Sequence, residues 1–152
     1  MNGTAGDNTG EEAIRSAKAI AGHHYLHPHT TEGSMRFVSP DVIYQSGPEG
    51  QRTYSHWEEN HHRLLGAFEI TGAEILHQVA EGDLVITHWR GEARHIGKFQ
   101  DLDATGKTVT MRGYGMDRVS GGQVVEHWGL QDAWGLMRQL GFVASAAKQG
   151  KT

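Results

Sequence analysis

Residues 108–132 read TVTMRGYGMDRVSGGQVVEHWGLQD, and this stretch decides the fold. Up to Val119, β-branched and aromatic residues are interleaved with small and polar ones, the pattern of a strand with one buried face. Ser120-Gly121-Gly122-Gln123 then makes a tight hairpin turn, because paired glycines accept the positive φ such turns need. A second strand follows over 124–131, and Asp132 is placed to cap a closing helix over 133–140, stopped by Gly141. Strand alternation puts His127, Gly129 and Gln131 on one face and Glu126, Trp128 and Leu130 on the other. On the preceding strand Gly113, Gly115 and Asp117 share a face. Asp117 therefore neighbours His127 across the hairpin, where a carboxylate would fix the imidazole tautomer. Facing a pocket, that imidazole would act as acid, base or hydrogen-bond donor; facing water, it would be an ordinary cross-strand polar pair.

Working outward, residues 69–80 and 84–95 read as further strands joined by the turn Glu81-Gly82-Asp83, and 101–107 is a turn region. In the second of these strands His88, Arg90, Glu92 and Arg94 alternate with Trp89, Gly91, Ala93 and His95. Four polar side chains on one face mean either solvent or the lining of a polar cavity, which makes Glu92 and His88 candidate site residues. Residues 54–68 form a helix with Tyr54, Trp57, His61, Leu64 or Leu65, and Phe68 on one side. A strand over 37–45 carries Pro40, which marks a sheet edge, and Gly47, Pro48 and Gly50 form a loop. A first helix starts at Glu11, gathers Ile14, Ala17, Ile20, Ala21 and His24 on one face, and ends at His27 before Pro28. Residues 1–10 read as a disordered tail, 11–141 as one domain and 142–152 as a flexible tail. Helices gathered early and hairpin-linked strands after them define an α+β fold: a curved antiparallel sheet wrapped over helices into a cone whose open end is a ligand pocket.

The 152 residues carry 14 Lys and Arg against 18 Asp and Glu, a net charge of -4, which argues against a nucleic-acid or anionic-membrane partner. There is no long apolar run and no basic-then-apolar leader, so the expected location is cytoplasmic. The absence of cysteine excludes disulfides, a thiolate nucleophile and a Cys-built zinc site. Gly-Lys-Thr at 106–108 and 150–152 lacks the glycine five positions earlier that a phosphate loop needs: Asp101 and Ser145 stand there. Gly113-Tyr114-Gly115 has neither the third glycine nor the following helix of a dinucleotide site. The clusters His23, His24, His27, His29 and His56, His61, His62 contain no complete ligand set, so no metal and no cofactor is expected.

Six motifs run in order: Ala80-Glu81-Gly82-Asp83-Leu84-Val85, His95-Ile96-Gly97-Lys98-Phe99, Ala104-Thr105-Gly106-Lys107, Asp117-Arg118-Val119, Glu126-His127-Trp128 and Gly135-Leu136-Met137-Arg138-Gln139-Leu140-Gly141. Over residues 70–141 the chain thereby resembles the SnoaL-like polyketide cyclases, which have the nuclear transport factor 2-like fold. Ser39-Pro40-Asp41-Val42-Ile43-Tyr44 resembles the family's His-Pro-Asp-Tyr strand. The resemblance implies a cone-shaped α+β barrel, often paired as a homodimer through the outer sheet face. It also implies closure of rings on aromatic polyketides by aldol addition without metal or cofactor. In that family an aspartate just after His-Trp serves as acid/base, helped by a histidine on the preceding strand. Here Gly129 stands at the first position and Gly115 at the second.

A glycine transfers no proton, so the aldol mechanism does not carry over directly. The expected activity is a cofactor-independent cyclase (lyase or isomerase type) acting on a hydrophobic polyketide-type intermediate in antibiotic or other natural-product biosynthesis. Cycloaddition or conjugate addition is the expected route. His127, Asp117 and Glu92 are the candidate catalytic residues. Gln131 and Tyr44 are hydrogen-bonding candidates, and Trp57, His61, Leu65, Phe68, His88 and Met111 are lining candidates. Gly115 and Gly129 are expected to enlarge the cavity by deleting two wall side chains. The rivals are a non-catalytic metabolite-binding module and an epoxide hydrolase or hydroxylase on the same scaffold, for which Arg112 and Asp117 would be two of three required groups.

Overall fold

The computed structural model describes residues 7–46, 48 and 50–142. The chain runs α1 (Asp7–Leu26), α2 (Thr31–Met35), β1 (Val38–Ser46), β2 (Gln51–Arg52), α3 (Tyr54–Ala67), β3 (Phe68–Glu81), β4 (Leu84–His95), β5 (Thr108–Ser120), β6 (Gln123–Gln131) and α4 (Ala133–Gln139). It is an α+β fold with a curved, open six-stranded sheet ordered β2-β1-β6-β5-β4-β3. The expected tail 1–10 is shorter at its inner end, since α1 already begins at Asp7; the rest of that tail, residues 143–152, Gly47 and Glu49 lie outside the described residues.

The four strands from β3 to β6 form an antiparallel meander, as their hairpin turns require. β1 departs from the expected all-antiparallel sheet: it runs parallel to β6 and pairs Tyr44 with His127. One helix and four strands separate β1 from β6, so their connection need not be a hairpin and the parallel pairing is open to it. The register of β1 slips between Val38 and Ile43, around Pro40, while β2 pairs only with Tyr44 and Gln45. Pro40 thus sits on a free edge, where its missing N–H costs no ladder bond. Two register shifts in β3, at Ile70/Gly72 and Ile75/His77, bend the opposite end of the sheet around the helices.

α1 lies across β3, β4, β5 and β6, burying Ala17, Ala21 and His24 against them. The Gln78 side-chain amide donates to the Lys18 carbonyl at 2.9 Å and ties α1 to β3. α3 packs on β1 and β3 and starts at Thr53, whose N–H donates to His56 Nδ1 at 3.3 Å. His56 is therefore a helix-capping residue. α2, which was not expected from the sequence, is capped by Thr30 Oγ1 accepting from Gly33 N–H at 3.0 Å. The sheet, α3 and α4 share an apolar cluster of Phe68, Ala93, Val109, Met111, Leu136 and Leu140. A second cluster joins Met35, Val42, Tyr44, Trp57 and Val124. Between these clusters and α1 the cone stays open.

Candidate active site

A cavity of about 900 Å³ opens between the inner sheet face, α1 and α3. Behind its lining, screened by His24, Tyr25 and His127, Asp117 is wholly buried. His127 faces Asp117 from the paired position on β6, with Nδ1 2.7 Å from Oδ1. Two residues of α1 complete the group. His24 Nε2 lies 3.3 and 3.4 Å from the two carboxylate oxygens, and the Tyr25 hydroxyl donates to Oδ2 at 3.0 Å.

Burial by itself would raise the Asp117 pKa, but the adjoining imidazoles and their hydrogen bonds outweigh it and hold the carboxyl well below the usual range. An ionised carboxylate only accepts hydrogen bonds. Each nitrogen facing it therefore carries hydrogen, so His127 presents Nδ1–H to Asp117 and Nε2 is the lone-pair nitrogen whenever the ring is neutral. Burial lowers the His24 pKa against the pull of Asp117, so His24 is neutral and donates through Nε2–H. Burial, reinforced by the Asp117 charge, keeps the Tyr25 phenol protonated. His127 also stacks on Trp57 at 4.5 Å between centroids and on Tyr44 at 5.6 Å, while the edge of His24 meets Trp57 at 5.1 Å. His24, Asp117 and His127 are the one group among the described residues whose donor atoms suit a cation, all within 4.8 Å of one another. The 2.7 Å contact makes this a hydrogen-bonded dyad with a second imidazole behind it.

The cavity brings together most of the residues expected from the sequence. His127, Tyr44, Trp57, His61, Met111 and Gln131 line it, as do Gly115 and Gly129. His61 is fixed by Nδ1 against Thr31 Oγ1 at 3.2 Å, and its pKa is lowered, chiefly by burial. Glu92 is exposed at the cavity margin and makes no bond to the Asp117–His127 pair.

Three expectations fail. His88 lies on the outer sheet face, with Nδ1 3.1 Å from His77 Nδ1 and its ring stacked on Tyr114. Leu64 borders the cavity where Leu65 was expected, because one residue turns a helical side chain by about 100°. Phe68 is a core residue, fully buried against His95 and Phe99, because α3 ends one residue before it. The tempting pair His23 and His27 stacks ring on ring at 4.2 Å. Arg112 is exposed and absent from the cavity wall, which removes the residue on which an epoxide-opening arrangement depended.

The two glycines do not enlarge the cavity as expected. A Cβ at Gly115 would lie 1.7 Å from the Tyr25 hydroxyl, and one at Gly129 would lie 2.8 Å from His127 Nε2. The vacated volumes are filled by a phenol and by an imidazole. The sequence reading missed His24 and Tyr25 as site residues. The available signal was that His24, a polar residue, falls on the apolar face of α1 beside Ala17 and Ala21.

The SnoaL-like polyketide cyclase family model matches residues 21–140. Among solved structures, AclR, a proposed hydroxylase from Streptomyces galilaeus, superposes with a TM-score of 0.76 at 24% identity over 84% of this chain and 86% of that one. IdmH, a proposed polyketide cyclase from Streptomyces antibioticus, gives 0.71 at 25% identity over 84% and 99% of the two chains. TsrD from Streptomyces laurentii gives 0.66 at 18% identity over 89% and 97%. No protein among the curated ones matches. With the family model spanning most of the sequence and the same fold recurring in these neighbours, the chain belongs to the SnoaL-like polyketide cyclase family.

Proposed function

We propose that the protein is a cofactor-independent cyclase that closes a ring on a hydrophobic polyketide-type intermediate, with proton transfer carried by His127. The observation that carries this reading is the His127 ring itself. Its Nδ1 is bonded to Asp117, and its Nε2 stands beside the space that a side chain at 129 would occupy. The base that the resemblance puts at position 129 is thus displaced onto a neighbouring imidazole. Of the three candidate catalytic residues, His127 is the one that takes the proton-transfer role in this reading.

Nε2 takes a proton from a carbon next to a substrate carbonyl. The resulting enolate carbon forms a bond to an electrophilic carbon of the same molecule, by conjugate or aldol-type addition. The Nε2–H then returns the proton to the product, so no atom is gained or lost. The imidazolium formed on the way is stabilised by the Asp117 charge and by the face of Trp57. Aromatic walls from Trp57, Tyr44 and Trp89 hold the chain folded, and positioning of this kind lowers the barrier by about 7–11 kcal/mol in well-oriented systems.

The expected homodimer is part of the proposal. Its support is a continuous outer row, Val79, Ile86, Met116 and Trp128, beside a second row, His77, His88, Tyr114 and Leu130. Val79 is 60% exposed and Leu130 76%, an apolar surface of the kind that a second copy would cover.

The test is conversion of a polyketide intermediate followed by chromatography with mass detection. The product is expected at unchanged mass, or lighter by one water if the adduct dehydrates. His127→Ala and Asp117→Asn should each lower turnover by about 10²–10⁴-fold, and chelator should leave the wild type unaffected. Turnover that survives both substitutions would sink the assignment. Saturable binding of the intermediate without product would instead support the metabolite-binding module.

A further inference from the structure

Three inward positions of β5, Gly113, Gly115 and Asp117, form a trench that ends at the carboxylate. At Gly113 a Cβ would lie 2.9 Å from the Trp89 ring, so that indole rests directly on the backbone. At Gly115 the overlap is with Tyr25: 1.7 Å to the hydroxyl and 2.8 Å to Cζ. No L side chain at 115 coexists with Tyr25 where it stands. The phenol passes through that space, with Trp89 alongside at 6.3 Å between centroids, to reach Asp117 Oδ2.

The two carboxylate oxygens then have separate duties. Oδ1 holds His127 at 2.7 Å and Oδ2 holds Tyr25 at 3.0 Å, while His24 bridges both at longer range. Asp117 is wholly buried, so no bulk water replaces a lost donor. Without the phenol, Oδ2 would keep only the long His24 contact, and the carboxylate would be free to turn away from His127.

We propose that Tyr25 is a positioning residue for the Asp117–His127 pair, and that Gly115 is required because only glycine admits the phenol. Tyr25 holds Oδ2 so that Oδ1 stays on His127 Nδ1, which keeps a hydrogen on Nδ1 and leaves Nε2 as the nitrogen aimed into the cavity. The role in turnover rests on the reading of His127 as the proton-transfer group; the effect on the His127 tautomer does not.

The experiment compares Tyr25→Phe, which keeps the ring in the trench and deletes only the donor, with Gly115→Ala, which keeps the hydroxyl but evicts it. Imidazole nitrogen spectra of ¹⁵N-histidine-labelled protein report the tautomer of His127. The wild type should show Nδ1 protonated and Nε2 bare, and both variants should show a mixture. Tyr25→Phe should also lower kcat by at least about tenfold, the rate equivalent of one charge-assisted hydrogen bond, with little change in KM. Should Gly115→Ala fail to fold, Tyr25→Phe alone decides. Unchanged His127 signals in folded Tyr25→Phe would overturn the proposal, even if His127→Ala abolishes turnover. Mixed tautomers in Tyr25→Phe together with full activity of His127→Ala would uphold the positioning and overturn the catalytic reading instead.

Discussion

Gly129 carries no proton, yet the volume it leaves vacant is where the imidazole of the preceding His-Trp pair sits. Gly129→Ala should therefore lower turnover by roughly tenfold or more, because its Cβ would press on Nε2, while the far-ultraviolet circular dichroism stays that of the wild type. Wild-type kinetics in that variant would show that the imidazole has room to spare. His24 makes a prediction about stability. Burial lowers its pKa from an ordinary 6.5, so below that pH the unfolded chain binds the proton more readily than the folded one. Stability then falls as the solution is acidified through the ordinary value of 6.5 towards the lower folded one. Asp117, held below its ordinary 3.8, adds a second loss only at lower pH, as its folded value is approached. His24→Gln removes the first of these titrations and should flatten the pH dependence of the melting temperature; an unchanged slope would exclude His24 as its source. At this scale the sequence was informative where alternation alone decides, as for Asp117 and His127. It failed where a partner arrives from far along the chain. His24 and Tyr25 sit more than ninety residues from Asp117, and no periodicity says which wall they meet.

Among the elements, the hairpin from β5 to β6 was legible down to its paired residues, because two glycines set the turn and the pleat sets the faces. α4 was legible too, through its cap: Asp132 Oδ1 accepts from Gly135 N–H at 2.8 Å. Asp132→Ala should cost about 1 kcal/mol, read as a lower midpoint in urea with an unchanged slope. The parallel pairing of β1 with β6 was not legible, since nothing local to either strand records the direction of a neighbour brought in by a long connection. The exchange of Leu64 for Leu65 and the loss of Phe68 to the core share one cause. A helix phase read over fourteen residues leaves the last turn uncertain by a position, and one position is a different direction.

For the whole molecule, the proposed dimer makes the sharpest claim. Ile86→Glu together with Val79→Glu would place charges on the outer row at two positions that do not line the cavity. Sedimentation should then show a monomer where the unaltered chain sediments as a dimer; a wild-type chain that is monomeric at micromolar concentration removes the proposal. None of the helices among the described residues is long and apolar enough to cross a membrane. The cone was legible in the order of elements and in the ordered motifs of its second half. The contents of its chamber were not, because the volumes left by Gly115 and Gly129 look empty until the side chains that fill them are placed.

Asp117 and His127 are ten positions apart on a single hairpin and take Tyr25 and His24 from α1, whereas α3 brings Trp57 and His61 to the opposite wall. Reactivity is therefore shared between the hairpin and the first helix, and fit is open to change from the third. A chimera that takes α3 from a relative while keeping α1 and the hairpin should inherit the relative's choice of guest while keeping its own acid–base pair.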